Sequence, residues 1–312
     1  MRCSCRRRQV DLLRSLIWYV VDVTAALFEL LRARVDVGGI PVIDGLSLET
    51  RGDRVVVLGG AKALFEAVSG VRTPVHGEVR VRGVAARSAT RVGSVAGAPV
   101  SPPLSPRWTA RDYVAWSARL SGHGKKEAKD LADEALFRMN LSQSASQKLL
   151  GTSPEDRRSV SIAAALATGA ETIFLEEPVA GLPDETARHF ARVVLRALED
   201  RSWAVFAARL PFESPLSMEA DEAVVVTGSR VLAQGAPAEI AARERTFAVR
   251  IVGRSENFAQ LARNHGIQVV GVGSDLTLDL GESLLTTSDV LRIALQAEAT
   301  VLELEPVAHA LS

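Results

Sequence analysis

The chain has 312 residues, 47% of them hydrophobic, and its 37 basic and 37 acidic side chains balance to zero net charge. That length suits two domains with a sizeable core, and the charge balance excludes a global field for nucleic acid or an anionic membrane. Its two cysteines, Cys3 and Cys5, lack further ligands at zinc spacing. The body is therefore thiol-free and fits a reducing cytoplasm, and no apolar run reaches the roughly 18 residues of a membrane span.

Residues 1–26 read as an N-terminal extension. Arg2, Arg6, Arg7, Arg8 and Arg14 accompany Leu12, Leu13, Leu16, Ile17, Val20, Leu27, Phe28 and Leu31, mostly three or four apart. A basic amphipathic helix on a membrane, an ordinary docked helix and a misassigned start near Val20 or Val23 all fit this pattern. A secretory signal fits less well, because Arg14 and Asp22 interrupt the apolar stretch. Residues 35–37 and 46–48 then predict short strands. Residues 54–58 predict a buried strand, followed by Gly59-Gly60 and an apolar helix through Val68. Residues 78–81 predict another strand. Pro99, Pro102, Pro103 and Pro106 mark a loop, and a helical stretch opens at Tyr113 and reaches about Leu150.

The chain then runs as a strand from Thr172 into two carboxylates, Glu176 and Glu177, before Pro178 and a turn at Gly181. That layout holds a pair of acids at the carboxyl end of a buried strand, where open α/β sheets place their ligands. A helix over 184–198 and strands over 204–207 and 223–226 follow. Such alternation predicts a mostly parallel sheet covered by helices. Beyond Arg245 the order changes to β-α-β-β-α-β: a strand at 247–251, a helix at 257–264, strands at 269–272 and 276–280, a helix at 287–297 and a strand at 300–304. This predicts a small ferredoxin-like module, whose second helix has capping chemistry at Ser288 and Asp289.

Together these landmarks resemble the ATP-binding subunit of ATP-binding cassette (ABC) transporters. Thr172 to Leu182 is similar to the Walker B segment and D-loop. Val42-Ile43-Asp44-Gly45-Leu46 is similar to the opening hairpin, Ser69 to Val79 to the connection A-G-x-x-x-P-x-x-G-x-V, and Gly235-Ala236-Pro237-Ala238-Glu239-Ile240 to the closing G-x-P-x-E-I. The C-terminal module is similar to an extension of bacterial ABC exporters. The resemblance implies an α/β fold: an ABC-type, P-loop NTPase-like cassette over 27–244, a helical subdomain at about 98–155, and an α+β module over 245–312.

At the chemical positions the chain departs from the family. A working phosphate loop, G-x-x-x-x-G-K-[ST], wraps phosphates with successive N–H groups. Here Lys62 lies only three residues after Gly59, and Ala63 stands where a hydroxyl would bind Mg²⁺. Glu176 occupies the metal-binding aspartate position, one methylene longer, and Glu177 matches the catalytic glutamate that polarises water. The signature L-S-G-G aligns with Thr152-Ser153-Pro154-Glu155, which keeps Ser153 and loses both glycines. The lid-loop glutamine aligns with Gly97, the D-loop aspartate with Pro183, the switch histidine with Arg209, and the adenine-stacking aromatic with Val37. By resemblance, then, Gly59, Gly60, Lys62, Ser153 and Arg209 are vestigial candidates for ATP phosphates, Glu177 for catalysis and Glu176 for Mg²⁺.

The expectation is a cytoplasmic export-system subunit, peripheral on the inner face of the membrane, that partners a membrane permease and/or a second cassette and binds no nucleic acid. With both its phosphate loop and its signature degenerate, it would act in assembly or regulation as a pseudo-ATPase. A divergent active ATPase using Lys62 and Glu177, and a scaffold outside transport, are the alternatives.

Overall fold

The computed structural model describes residues 25–241, 245–281 and 285–307, so the readings made of the N-terminal tail fall outside the described part for residues 1–24, while Phe28 and Leu31, which the helical spacing included, belong to a strand and Leu27 directly precedes it. The chain opens with a hairpin of β1 (Phe28–Val37) and β2 (Ile40–Glu49), then β3 (Arg54–Leu58) and the helix Ala61–Val68. β4 (His76–Val81), β5 (Val84–Ala85), the helix Ala86–Val92 and β6 (Val95–Ala98) come next. Three helices, Ala110–Leu120, Lys125–Arg138 and Pro154–Leu166, separate these from β7 (Thr172–Glu176). The helix Asp184–Ala197, β8 (Ser202–Ala207), the short helix Pro215–Met218, β9 (Glu222–Val226), β10 (Val231–Gly235) and the helix Pro237–Ala241 follow. The chain then runs through β11 (Thr246–Gly253), the helix Ser255–Asn264, β12 (Gln268–Val272), β13 (Asp275–Asp279), the helix Thr287–Gln296 and β14 (Ala299–Pro306).

These strands form three sheets, in the orders β2-β1-β4-β5, β10-β9-β3-β8-β7-β6 and β12-β13-β11-β14. In the six-stranded sheet β9, β3, β8, β7 and β6 are parallel and β10 is antiparallel. Val-rich runs such as Val55-Val56-Val57-Leu58 are buried throughout, as expected of a parallel sheet covered on both faces. One face joins the helix Ala61–Val68 and the hairpin sheet in a core centred on Phe28, Phe65, Phe174 and Phe206. The other face packs against the helical region.

The third sheet is antiparallel, and with its helices it has the predicted ferredoxin-like order, packed over Val249, Ile251, Phe258 and Ile293. It meets the rest of the chain through Ala248 and Val307, which join the larger core with Ala233 and Ile240. A chain of charges crosses the same junction: Arg230 to Asp275 at 3.6 Å, Asp275 to Arg250 at 3.0 Å, and Arg250 to Glu303 at 3.2 Å.

Two expectations need correction. The first hairpin has two ten-residue strands rather than two short ones; Arg32 (φ +47°) and Gly45 (φ +73°) interrupt the alternation that marks a strand. The helical stretch is also not continuous from Tyr113. The first helix starts at Ala110, capped by Thr109 and Asp112, and ends before Gly122. The next begins after Gly124, whose N–H donates to the Glu127 carboxylate at 3.2 Å, and turns follow from Asn140 to Gly151.

Candidate functional site

The carboxyl ends of β3, β8 and β7 lie side by side, so β3 and β7 are roughly 10 Å apart across β8. The Gly59 N–H donates to the Ala207 carbonyl at 2.9 Å, and the Glu177 N–H to the Phe206 carbonyl at 2.8 Å. This strand-end layer therefore brings together Gly59, Gly60, Lys62, Glu176, Glu177 and the residues leading to Arg209.

At β3 the chain turns directly into its helix. Gly59 takes φ +89° with the Val226 carbonyl oxygen 2.2 Å from where a Cβ would stand, so only glycine fits. Gly60 is the left-handed N-cap (φ +57°) and offers no side-chain cap. Ile43 Cδ1, at 3.0 Å, and Leu64 Cδ1, at 3.5 Å, border the space over Gly60 where its side chain would project. Ala61 and Ala63 are buried in the helix, while Lys62 is exposed and forms no ion pair or hydrogen bond among the described residues.

The two acids at the end of β7 behave differently. Glu176 is 7% exposed, and its Oε2 accepts the Val100 N–H at 3.1 Å. Glu177 adopts φ +46°, a strained conformation for a non-glycine residue, which swings its carboxylate to accept the Ala208 N–H at 2.7 Å. Burial pushes the Glu177 carboxyl above the usual range; the Ala208 hydrogen bond opposes this, Glu176 adds to it, and Arg158 opposes it.

Arg158 is the residue that motif reading missed. It lies on the second turn of the helix Pro154–Leu166 and donates from Nη2 to the Ala180 carbonyl in the turn after the acids. Its Nε and Nη1 are buried without a hydrogen-bond partner among the described residues. Burial lowers its pKa and the Glu177 charge raises it. A void of about 10 Å³ lies between Pro99, Arg158, Ser161, Glu176 and Pro178, room for one water molecule. The only signal in the sequence was an arginine at the helical position that turns toward the acidic strand end.

Ser153 caps the same helix, accepting the Asp156 N–H at 3.0 Å. Pro154, Glu155 and Asp156 fill its first turn, so the cap hydroxyl is engaged within its own helix. Arg209 is exposed and makes no ion pair or hydrogen bond among the described residues. Gly97 lies inside β6 opposite Phe174. A Cβ there would stand 3.0 Å from Phe65 Cζ and 3.2 Å from Ser69 Cβ, so the glutamine position is occupied by packing from the helix after β3. Val37 is packed against the core centred on Phe28 and Phe206, and Pro183 is the N-cap of the helix Asp184–Ala197.

No protein-family profile matches the chain. It is 28% identical over 215 residues to the energy-coupling factor transporter ATP-binding protein EcfA of Methanothermobacter thermautotrophicus, covering 65% of this chain and 68% of EcfA. It is 29% identical over 161 residues to the taurine import ATP-binding protein TauB of Mesorhizobium japonicum, covering 50% and 62%. Against the lipoprotein-releasing system ATP-binding protein LolD of Chromohalobacter salexigens it is 29% identical over 162 residues, covering 48% and 68%. Among solved structures, cbiO1 from Clostridium perfringens, part of the ABC transporter complex cbiONQ, superposes with a TM-score of 0.59 at 17% identity over 77% of this chain and 95% of that one. The ATP-binding cassette MJ1267 in its ADP conformation gives 0.58 at 17% over 70% and 95%. The chain thus has the fold of the ABC ATPase cassette, the nucleotide-binding domain of ABC transporter ATP-binding subunits.

Proposed function

We propose that this chain is an ABC-type subunit of a transport system whose own nucleotide site is impaired, so that it serves assembly or regulation as a pseudo-ATPase. The observation that carries this reading is the two-residue turn at Gly59-Gly60. A phosphate cradle needs several consecutive N–H groups around an open space; here the chain enters its helix at once and Ile43 and Leu64 border the space over Gly60. ATP and Mg²⁺ are the implied cofactors, and the residues present do not fit them. Ala63 offers no metal ligand and is buried, and the void beside Glu176 is too small for an ion that keeps several of its waters. Glu177 keeps the family's catalytic position, yet its carboxylate is engaged by Ala208. At the other composite half-site, Glu155 places negative charge where the signature would approach a phosphate.

As a partner, the fold points to a membrane permease subunit and/or a second cassette, with this chain cytoplasmic and peripheral on the inner face of the membrane. The resemblance of the C-terminal module favours export. The relatives' names include import systems for taurine and cobalamin as well as a lipoprotein-releasing system, so the transport direction is tested by which permease co-purifies. Calorimetry with ATP, with and without Mg²⁺, tests the nucleotide reading. No heat of binding up to millimolar ATP, and no ATP-dependent rise in melting temperature for either wild type or Lys62→Ala, is expected. Micromolar binding lost in Lys62→Ala would overturn it and restore the reading of an active ATPase.

A further inference from the structure

The C-terminal module presents a strand edge that the rest of the described chain leaves open. Its sheet runs β12-β13-β11-β14, so β12 and β14 are its edges. β14 carries Glu303 and Glu305 and ends on Pro306, the charges and proline that keep an edge from pairing with another chain. In the other sheets β5 has only two residues and β6 is almost wholly buried. The remaining edges, β2 and β10, are tied together: Gln234 Nε2 donates to the Glu49 carbonyl at 2.7 Å, and the Asp44 N–H to the Gly228 carbonyl at 2.7 Å. β12 differs from all of these. Its sequence, Gln268-Val269-Val270-Gly271-Val272, has neither charge nor proline, and Val270 and Val272 are 69% and 94% exposed.

The register fixes which backbone groups face out. Val272 pairs with Asp275 across a two-residue turn whose first residue, Gly273, has φ +73°, as such hairpin turns require. The closing pair of the turn is hydrogen-bonded, and bonded and non-bonded pairs alternate along an antiparallel ladder. Gln268, Val270 and Val272 therefore bond to β13, while Val269 and Gly271 turn their N–H and C=O groups outward. Arg263 Nη2 reaches the Val269 carbonyl from outside at 3.5 Å, the outer limit of a hydrogen bond. Val269 packs toward the module's core, so Val270 and Val272 lie on the opposite face of the sheet.

We propose that β12 is a self-association edge, at which two copies of this chain pair β12 with β12, antiparallel about a two-fold axis at Val270. This register is self-complementary. Val269 of each copy exchanges a pair of hydrogen bonds with Gly271 of the other. Val270 meets Val270 of the second copy in a non-bonded pair, where side chains approach most closely, and Val272 meets Gln268. The neutral edge sets no like charges opposite each other, and the zero net charge of the chain adds no long-range repulsion. Two four-stranded sheets thus join into one whose outer edges are both β14, so growth stops at a closed dimer. The pairing needs no ATP and uses none of the strand-end residues, and it does not rest on the nucleotide reading.

The test uses the full chain without nucleotide. Sedimentation equilibrium from roughly micromolar to roughly millimolar protein is expected to show the mass rising from one chain to two and no further. Val270→Lys sets two ammonium groups against each other across the axis and is expected to weaken association at least about tenfold. Its melting temperature should match that of the wild type, because the side chain is exposed. The register is read with Val270→Cys in a Cys3→Ser/Cys5→Ser chain. Oxidation is expected to link these chains covalently, since a non-bonded pair brings the two Cα atoms to about 4.5 Å, within disulfide range. Val252→Cys, at an exposed valine on the interior strand β11, is expected to stay unlinked. A chain that is monomeric throughout, a dimer undiminished by Val270→Lys, or cross-linking at position 252 as fast as at position 270 would overturn the proposal.

Discussion

Replacing Gly59 with alanine isolates the turn that decides the nucleotide reading. The new methyl would stand 2.2 Å from the Val226 carbonyl oxygen, well inside the 3.0 Å that Cβ contacts respect. The obstacle is backbone in β9 rather than a side chain that can rotate away. Holding a non-glycine residue in the left-handed region costs about 1–2 kcal/mol, and forcing the strand aside adds about 1–3 kcal/mol. The sum, roughly 2–5 kcal/mol, is a large share of the ~5–15 kcal/mol by which domains are stable. With a urea m-value of about 2.5 kcal/mol/M, the unfolding midpoint should fall by ~1–2 M. Gly60→Ala is the control: its methyl would meet the end of the flexible Ile43 side chain at 3.0 Å, so only the left-handed cost of ~1–2 kcal/mol remains. Both losses should be the same with and without ATP. A Gly59→Ala chain within about 0.5 kcal/mol of wild type, or one less damaged than Gly60→Ala, would refute the steric argument.

Glu177→Gln keeps an acceptor for the Ala208 N–H and removes a half-buried charge beside Glu176, so ATP turnover should not change and the variant should be at least as stable as wild type at pH 7. Because the folded-state pKa of Glu177 is raised, its contribution is favourable below the ordinary glutamate pKa and is lost as pH rises through the folded value. The stability gap between variant and wild type should therefore close on acidification, and a gap that widens in acid would contradict the shift. Arg158→Met should remain within about 1 kcal/mol of wild type, since it fills similar space and removes two buried nitrogens that lack hydrogen-bond partners. Arg158→Ala should be clearly less stable because it leaves a cavity, and equal losses in urea melts would count against this account. Arg138 donates to both carboxylate oxygens of Asp200, at 2.8 and 3.4 Å, and to the Ala197 carbonyl at 3.3 Å, tying the helical region to the end of the helix Asp184–Ala197. Arg138→Ala should cost about 1 kcal/mol, less at high salt; a loss insensitive to salt would point to packing instead.

Much of this architecture was legible because its periodicities are strong. β3 was read at residues 54–58, as found, because four apolar residues in a row between a charge and a glycine admit little else. In the C-terminal module every element was anticipated to within a few residues, since alternation and helical spacing are uninterrupted there. β6 was not anticipated: Val95-Ala96-Gly97-Ala98 has low strand propensity, and it is a strand because β7 supplies a parallel partner and Phe65 needs the space that Gly97 leaves. The helix Ala86–Val92 was also missed, being short and only partly buried. At the strand ends, motif spacing located Gly59, Lys62, Glu176 and Glu177. It could not show that Arg158 comes in from another helix, or that Glu177 bends back to Ala208, because both depend on tertiary placement.

The first turn of the helix Pro154–Leu166 bears on any attempt to restore nucleotide contact. Ser153, Pro154, Glu155 and Asp156 form a well-made helix start. Returning glycines at positions 154 and 155 would exchange it for residues up to ~1 kcal/mol each less suited to a helix. At the other end, a serine at position 63 would enter a site only 2% exposed, where an unmatched hydroxyl costs about 1–3 kcal/mol. Each step back toward a phosphate site is thus uphill for the apo fold, and none is repaid until a ligand binds. An engineered reversal would have to change loop length, helix start and hydroxyl together, because the single intermediates are selected against by stability alone.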